Sequence, residues 1–288
     1  MPEIWGLAAI ATKFFLYLGI LTSGGLILSR QIIAEEMSAL DRFIRSWAVG
    51  FAVVALIMAA LGFAVRGAML MDDISGMVDP SILALLWETP PGDALLLRMV
   101  GLGAVLMGAL IGGRWLWIAV LGSAVSLWSF CEIGHVAIEE RFWLKLVLFA
   151  HLFTAAFWMG IFLPLSHLSR SPNTLADAAA LGHRFGQIAS VAVPLLVIAG
   201  VIMTWRLVGT VSAMVGTSYG LMLLAKLAAV ALLLALAAIN KVRLVPALQR
   251  GDPGIGTQLS KSISLEWLCV GVILLATAII TSVLTVPK

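Results

Sequence analysis

Eight runs of about twenty apolar residues leave this chain little choice of fold; they lie at 4–28, 47–69, 93–112, 115–135, 142–165, 185–206, 219–240 and 264–286. At 1.5 Å per residue a helix of that length spans the hydrocarbon of a bilayer, and in lipid only helices and closed barrels satisfy their own backbone. The short alternating pattern of a membrane barrel is absent. Hydrophobic residues are 61% and charged residues 11% of the 288, far from a soluble composition. The sequence predicts an all-α polytopic membrane protein of eight transmembrane helices. Met1-Pro2-Glu3 lacks the basic region of a signal peptide and no small-residue cleavage site follows the first run, so that run is expected to remain as a helix.

Charge then orients the bundle. Arg30, Arg42, Arg45, Arg114, Arg170, Arg184, Lys241, Arg243, Arg250 and Lys261 fall in alternate loops, against Arg66, Arg141, Arg206 and Lys288 near the other face. The positive-inside rule puts both termini outside. The outer face also carries nine of the fifteen acids, among them Asp72, Asp73 and Asp79, a rim that attracts cations. The net charge of +3 reads as an orientation signal, with no nucleic-acid partner. Cys131 and Cys269 lie toward opposite faces on this topology, which argues against a disulfide between them.

The halves 1–140 and 141–288 share a pattern. Lys13 leads a run ending in Arg30 as His151 leads one ending in Arg170, and "GDALLLR" at Arg98 parallels "GLMLLAK" at Lys226. The chain therefore reads as a single eight-helix membrane domain built from two parallel four-helix repeats.

Ionisable groups inside such runs cost about 2.5–3.5 kcal/mol each at a helix centre, so they mark function or find a way out. Lys13, Arg98, His151 and Lys226 lie roughly 9–15 Å in from the outer helix ends. Lysine and arginine can snorkel along their own stems, which suffices for Lys145 and suits Lys226. A histidine is too short to do so, and His151 needs an interior partner, a ligand or a wet cavity. It shares a helix face with Ala155 and Trp158, and small residues in that run allow close helix approach. Trp128, Cys131, Glu132 and His135 in "WSFCEIGHV" are spaced as one helical stripe. Cys131 and His135 can aim a thiolate and an imidazole at copper or zinc, with Glu132 as a ligand or as the imidazole's second partner. Cysteine on an apolar helix is otherwise ordinary packing. Met69, Met71 and Met77 accompany Asp72 and Asp73 in "GAMLMDDISGMVDP", and thioethers select Cu(I). His167 and His183 sit beside Arg170 and Arg184 at helix ends, where a solvated role is the simpler reading. No P-loop, HExxH or GxSxG motif occurs, which excludes an ATP-driven pump for this chain alone.

From the fourth run onward the residues "GHV" at 134–136, "HLFTAAFWMG" at 151–160, "LGHRFGQIASVAVPLLVIAG" at 181–200, "TSYGLMLLAKLA" at 217–228, "NKVRLVPAL" at 240–248 and "SISLEWL" at 262–268 resemble the copper resistance protein D family of eight-span bacterial inner-membrane proteins. Valine stands at 136 where that family usually has alanine, and the first three runs match by pattern only. The resemblance implies copper handling and a periplasmic copper-binding protein as partner, in agreement with the outer, here periplasmic, termini read from charge.

Two chemistries follow for the same residues. In the first, copper is collected by the Met-bearing acidic loop and passed to Cys131 and His135, then inward past His151 and Trp158. Lys13, Arg98 and Lys226 would repel a cation on that route. In the second, those cations hold haem propionates or a quinone, with His151 and another histidine, His183 among the candidates, as axial ligands of haem b. A third reading is a scaffold that recruits periplasmic copper carriers without transport.

Overall fold

A computed structural model describes residues 4–134, 136 and 141–285. Among the described residues eight helical segments are long and apolar enough to cross a membrane, built on α1 (Ile4–Ile32), α2 (Asp41–Met71), α3 (Pro90–Ile111), α4 (Leu116–Trp128, which reaches spanning length only with its flanking 3₁₀ turns, Gly113–Cys131), α5 (Phe142–Ser169), α6 (Leu175–Val208), α7 (Ser218–Ile239) and α8 (Ile255–Ser282). The protein is a multi-pass, all-helical membrane protein, as its apolar runs require, and the described residues include no strand. Several helices start well before their apolar runs. The added turns of α2, α6 and α8 carry Asp41, Arg45, Arg184 and Lys261. A polar turn at the membrane surface continues the helix because its backbone bonds cost nothing to keep.

Helix α4 is the exception, and it corrects the sequence expectation of a helix to 135. It stops at Trp128, tightens into a 3₁₀ turn over Ser129–Cys131 and continues from Glu132 as bends without a helix. The expected stripe of Trp128, Cys131, Glu132 and His135 therefore has no continuous helix beneath it, and His135 lies outside the described residues.

Helix α1 is the hub. Every residue from Gly19 to Ser29 is buried, as a helix surrounded by protein must be, and α1 packs on α2, α4, α5 and α8. Its closest neighbour is α5. A methyl group on Gly25 would strike the Ala156 carbonyl, and one on Gly160 would strike the carbonyl of Gly25. Ser29 Oγ donates to the Phe157 carbonyl at 2.9 Å across the same crossing. Small residues bring two backbones into contact where lipid provides no hydrophobic drive between helices. Near the chain termini Lys13 Nζ donates to the Thr281 carbonyl at 2.6 Å, tying α1 to α8. At the opposite end Arg45 caps α3, donating to the Ala109 and Leu110 carbonyls at 2.5 and 2.6 Å; Asp41 bridges it to Arg30.

In contrast α6 and α7 bury little of their apolar surface in the protein. They stand as an outer wall, held off α1, and the space between is where the cavities form.

The crossing gives a test. Gly160→Leu should prevent assembly, since overpacking costs about 1–3 kcal/mol even where side chains can yield and here the obstacle is backbone. Gly50 has nothing within 4 Å of its would-be Cβ, so Gly50→Ala should fold normally. Size-exclusion profiles in detergent distinguish the two; a monodisperse Gly160→Leu protein would refute the backbone contact.

Candidate functional site

A chamber of about 1150 Å³ opens in the half of the bundle that holds the chain termini. Its walls are mostly apolar, which makes the polar groups in them conspicuous. Lys13 of α1, Arg66 of α2, Arg98 of α3 and Lys226 of α7 all line it, and none of its described lining residues is an aspartate or glutamate.

Two of these cations, Arg98 and Lys13, are placed by contacts with other elements. Arg98, 8% exposed, donates from Nε to Ser129 Oγ at 3.1 Å in the 3₁₀ turn below α4. Its guanidinium lies over the Phe130 ring at 5.1 Å, and Tyr17 stacks on that ring at 4.7 Å. Tyr17 and Lys13 both reach Thr281, by hydroxyl at 3.4 Å and by carbonyl. These contacts pin the heads toward the chamber; they do not neutralise them. Four basic side chains beside apolar walls, with no carboxylate among the described lining residues, make the chamber a complement for an anionic group.

His151, Ala155 and Trp158 all face the chamber, as the helical spacing requires. His151 Nδ1 bonds the Leu196 carbonyl at 3.0 Å, which fixes the ring and leaves Nε2 as its free nitrogen. Gly200 lies against the ring, where an added Cβ would make ordinary contact with the imidazole at 3.5 Å. Met58 and Met159 lie in the walls, and Met69, Met203 and Met214 line the chamber toward the terminal end.

The remaining sequence-predicted residues are not gathered here. Cys131 is fully buried and its Sγ donates to the Lys145 carbonyl at 3.4 Å. Both Glu132 oxygens are taken, by Trp128 Nε1 and by Lys145 Nζ at 2.7 Å each. Lys145 is thus paired with Glu132, a partner that the sequence reading did not give it. Met71 is exposed at the end of α2, and Met77 sits in the short turn Ile74–Met77. Asp72 takes the left-handed conformation that ends α2. Hydrogen bonds from the Ser75 side chain and from the Ser75 N–H, the latter at 2.8 Å, hold the Asp73 carboxyl below the usual range, and Asp79 caps the helix Pro80–Trp87. Those carboxylates close turns as well as decorating a rim. Among the described residues no group of three or more His, Cys, Asp and Glu side chains is placed to hold a metal ion.

The pairing of His151 with His183 is likewise not realised. His151 meets α6 at Leu196, thirteen residues and about 20 Å along the helix from His183, which is exposed and bonded to Gln187. The two cannot ligate one iron. His167 stacks on Phe43 at 4.4 Å, also far from the chamber.

A second cavity of about 260 Å³ lies toward the opposite end, between α5, α6, α7 and α8. Trp158, Phe162 and Leu234 line both cavities and so form the partition between them. Arg66, Tyr17, Glu266 and Asn240 were not singled out from the sequence as site residues. For Glu266 a signal existed, a lone acid inside the last apolar run.

Eight spans enclosing a chamber lined by basic and thioether side chains define a polytopic membrane protein with an internal cavity. The family follows from two comparisons. The model "Copper resistance protein D" matches residues 179–280, and "Copper resistance protein D-like, N-terminal domain" matches residues 1–142. A curated relative, copper resistance protein D of Pseudomonas syringae pv. tomato, is 29% identical over 266 residues, covering 84% of each chain. The chain belongs to the copper resistance protein D family, and its function is copper-related. No solved structure matches it.

The burial of both thiols predicts that neither Cys131 nor Cys269 reacts with a membrane-impermeant maleimide in sealed vesicles, while both react in denaturing detergent. Prompt labelling of Cys131 in a Cys269→Ser variant would show that its thiol is reachable from water.

Proposed function

We propose that the protein moves copper across the bacterial inner membrane, taking it from the periplasmic side, where the charge pattern orients both termini. One observation carries this reading: two cavities stand back to back along α5 and α7, separated only by the shared wall of Trp158, Phe162 and Leu234. Paired cavities on either side of a thin partition suit alternating access around a site near mid-membrane. The thioethers near the terminal end and the imidazole of His151 further in suit a soft cargo.

The four cations restrict the form in which copper enters. A bare Cu(I) or Cu(II) ion meets like charge at every turn, whereas copper held by an anionic ligand, or delivered by a periplasmic copper-binding protein, does not. Cys131 and His135 are proposed as the relay that follows the Met-bearing outer loop, the buried Cys131 thiol receiving copper from that loop and not directly from water.

The test is cellular copper, measured by mass spectrometry after a periplasmic copper challenge. His151→Ala and Trp158→Ala should each lower copper-dependent accumulation to the empty-vector level. Unchanged accumulation would sink the conduit and favour a scaffold for periplasmic copper carriers.

The cationic ring also favours a second reading, an acidic redox cofactor such as haem b, or a quinone, received between Lys13, Arg98 and Lys226 with His151 as one ligand. A Soret band with sharp bands on reduction of the purified protein would select it; bound copper in a protein without visible absorption would select the conduit.

A further inference from the structure

The small cavity contains polar chemistry that the copper route does not use. Glu266 of α8, 3% exposed, accepts from Asn240 Nδ2 at 2.9 Å. Asn240 is 9% exposed, lines the same cavity, and its Oδ1 is buried without a hydrogen-bond partner. A buried unpaired amide oxygen is costly and calls for an explanation.

Local backbone geometry puts it there. Helix α7 ends at Ile239 and continues as a π-helical segment, Asn240–Leu244. The extra residue in a π turn shifts the register of everything beyond it, and such segments recur at functional sites. Pro194, another lining residue, has no N–H to give the Ser190 carbonyl one turn earlier. Lys241 extends along Gly186 and donates to Ser190 Oγ, and its own exposure marks where the cavity meets the surface.

A carboxyl this deep is held either as the acid or by a cation. The ion pairs among the described residues do not include Glu266. Lys241 is the other charged residue lining the cavity. Charged and titratable groups on the packed elements are otherwise engaged or elsewhere: Arg30 with Asp41, His167 on Phe43, Arg170 on Ser260 and Arg250 with Asp252. Lys13 and Lys226 line the large chamber, Arg243 and Lys261 are exposed, and Cys269 is buried one turn along α8. The donors are all hard oxygens, poorly suited to Cu(I).

We propose that Glu266 and Asn240 form a proton-binding site, filled from the end of the bundle opposite the termini, whose occupancy is coupled to the opening of the small cavity. The coupling rests on the transport reading; the proton site does not.

Infrared difference spectroscopy of the protein in liposomes, stepped between acidic and alkaline buffer, tests the site directly. The wild type should show the carbonyl stretch of a protonated carboxylic acid, shifted in D₂O. That band should vanish in Glu266→Gln and move in Asn240→Leu, which keeps the carboxyl but removes its amide partner and guards against misfolding of the first variant. A wild-type difference spectrum that neither variant alters overturns the proposal, as does a carboxylate band that responds to sodium but never to pH. In cells, a protonophore should cut copper accumulation by the wild type severalfold and leave the residual uptake of Glu266→Gln unchanged; equal sensitivity of both would overturn the coupling. No copper accumulation by the wild type would sink the conduit instead, with the infrared band still deciding the proton site.

Discussion

Backbone contact between α1 and α5 at Gly25 and Gly160 is the constraint on which the rest of the bundle depends. Inside lipid there is no hydrophobic gain from pressing one apolar helix on another, so association comes from close packing and from polar groups satisfied across the seam. The glycine crossing supplies the first and Ser29 with the Phe157 carbonyl the second. Because α1 is thereby held at the centre, α2, α4 and α8 can pack around it, and His151 and Trp158 on α5 are fixed in depth and direction. Helices α6 and α7 do not join that dense core. Their separation from it creates both cavities, so the void is a consequence of where the small residues are.

Electrostatics divides the two cavities more sharply than size does. The large one has four cations and no carboxylate among its described lining residues, the small one a lysine and a carboxyl that are not bonded to each other. In a medium of low dielectric such a distribution is expensive, and sequences keep it only where something pays for it. An anionic group is the electrostatic complement of the first cavity, and the proposed proton site lies in the second. The thioethers line the large cavity alone, and the carboxyl lines the small one alone.

Much of the architecture was legible residue by residue. The apolar runs located eight helices, and spacing alone put His151, Ala155 and Trp158 on one face. Where the reading failed, the cause was local. Helix α4 yields to a 3₁₀ turn at Ser129, so periodicity extrapolated through Cys131 and Glu132 was projected along a helix that ends. Glu132 looked like a ligand because its spacing was right, yet Trp128 and Lys145 already occupy it. Glu266 and Asn240 are 26 residues apart on separate helices, and no periodic pattern links them.

By itself the sequence determined that the chain crosses a membrane eight times, which depths its ionisable groups occupy, and which side chains share a helix face. Those properties follow from hydrophobic length and from the 3.6-residue turn, both local. Which groups meet was decided only by the tertiary structure: Lys13, Arg66, Arg98 and Lys226 come from four helices to one chamber, and Glu266 finds Asn240 through a π turn. Helix rotation and separation are set by packing between segments far apart in the chain, and a carboxyl's partner is a matter of that packing alone.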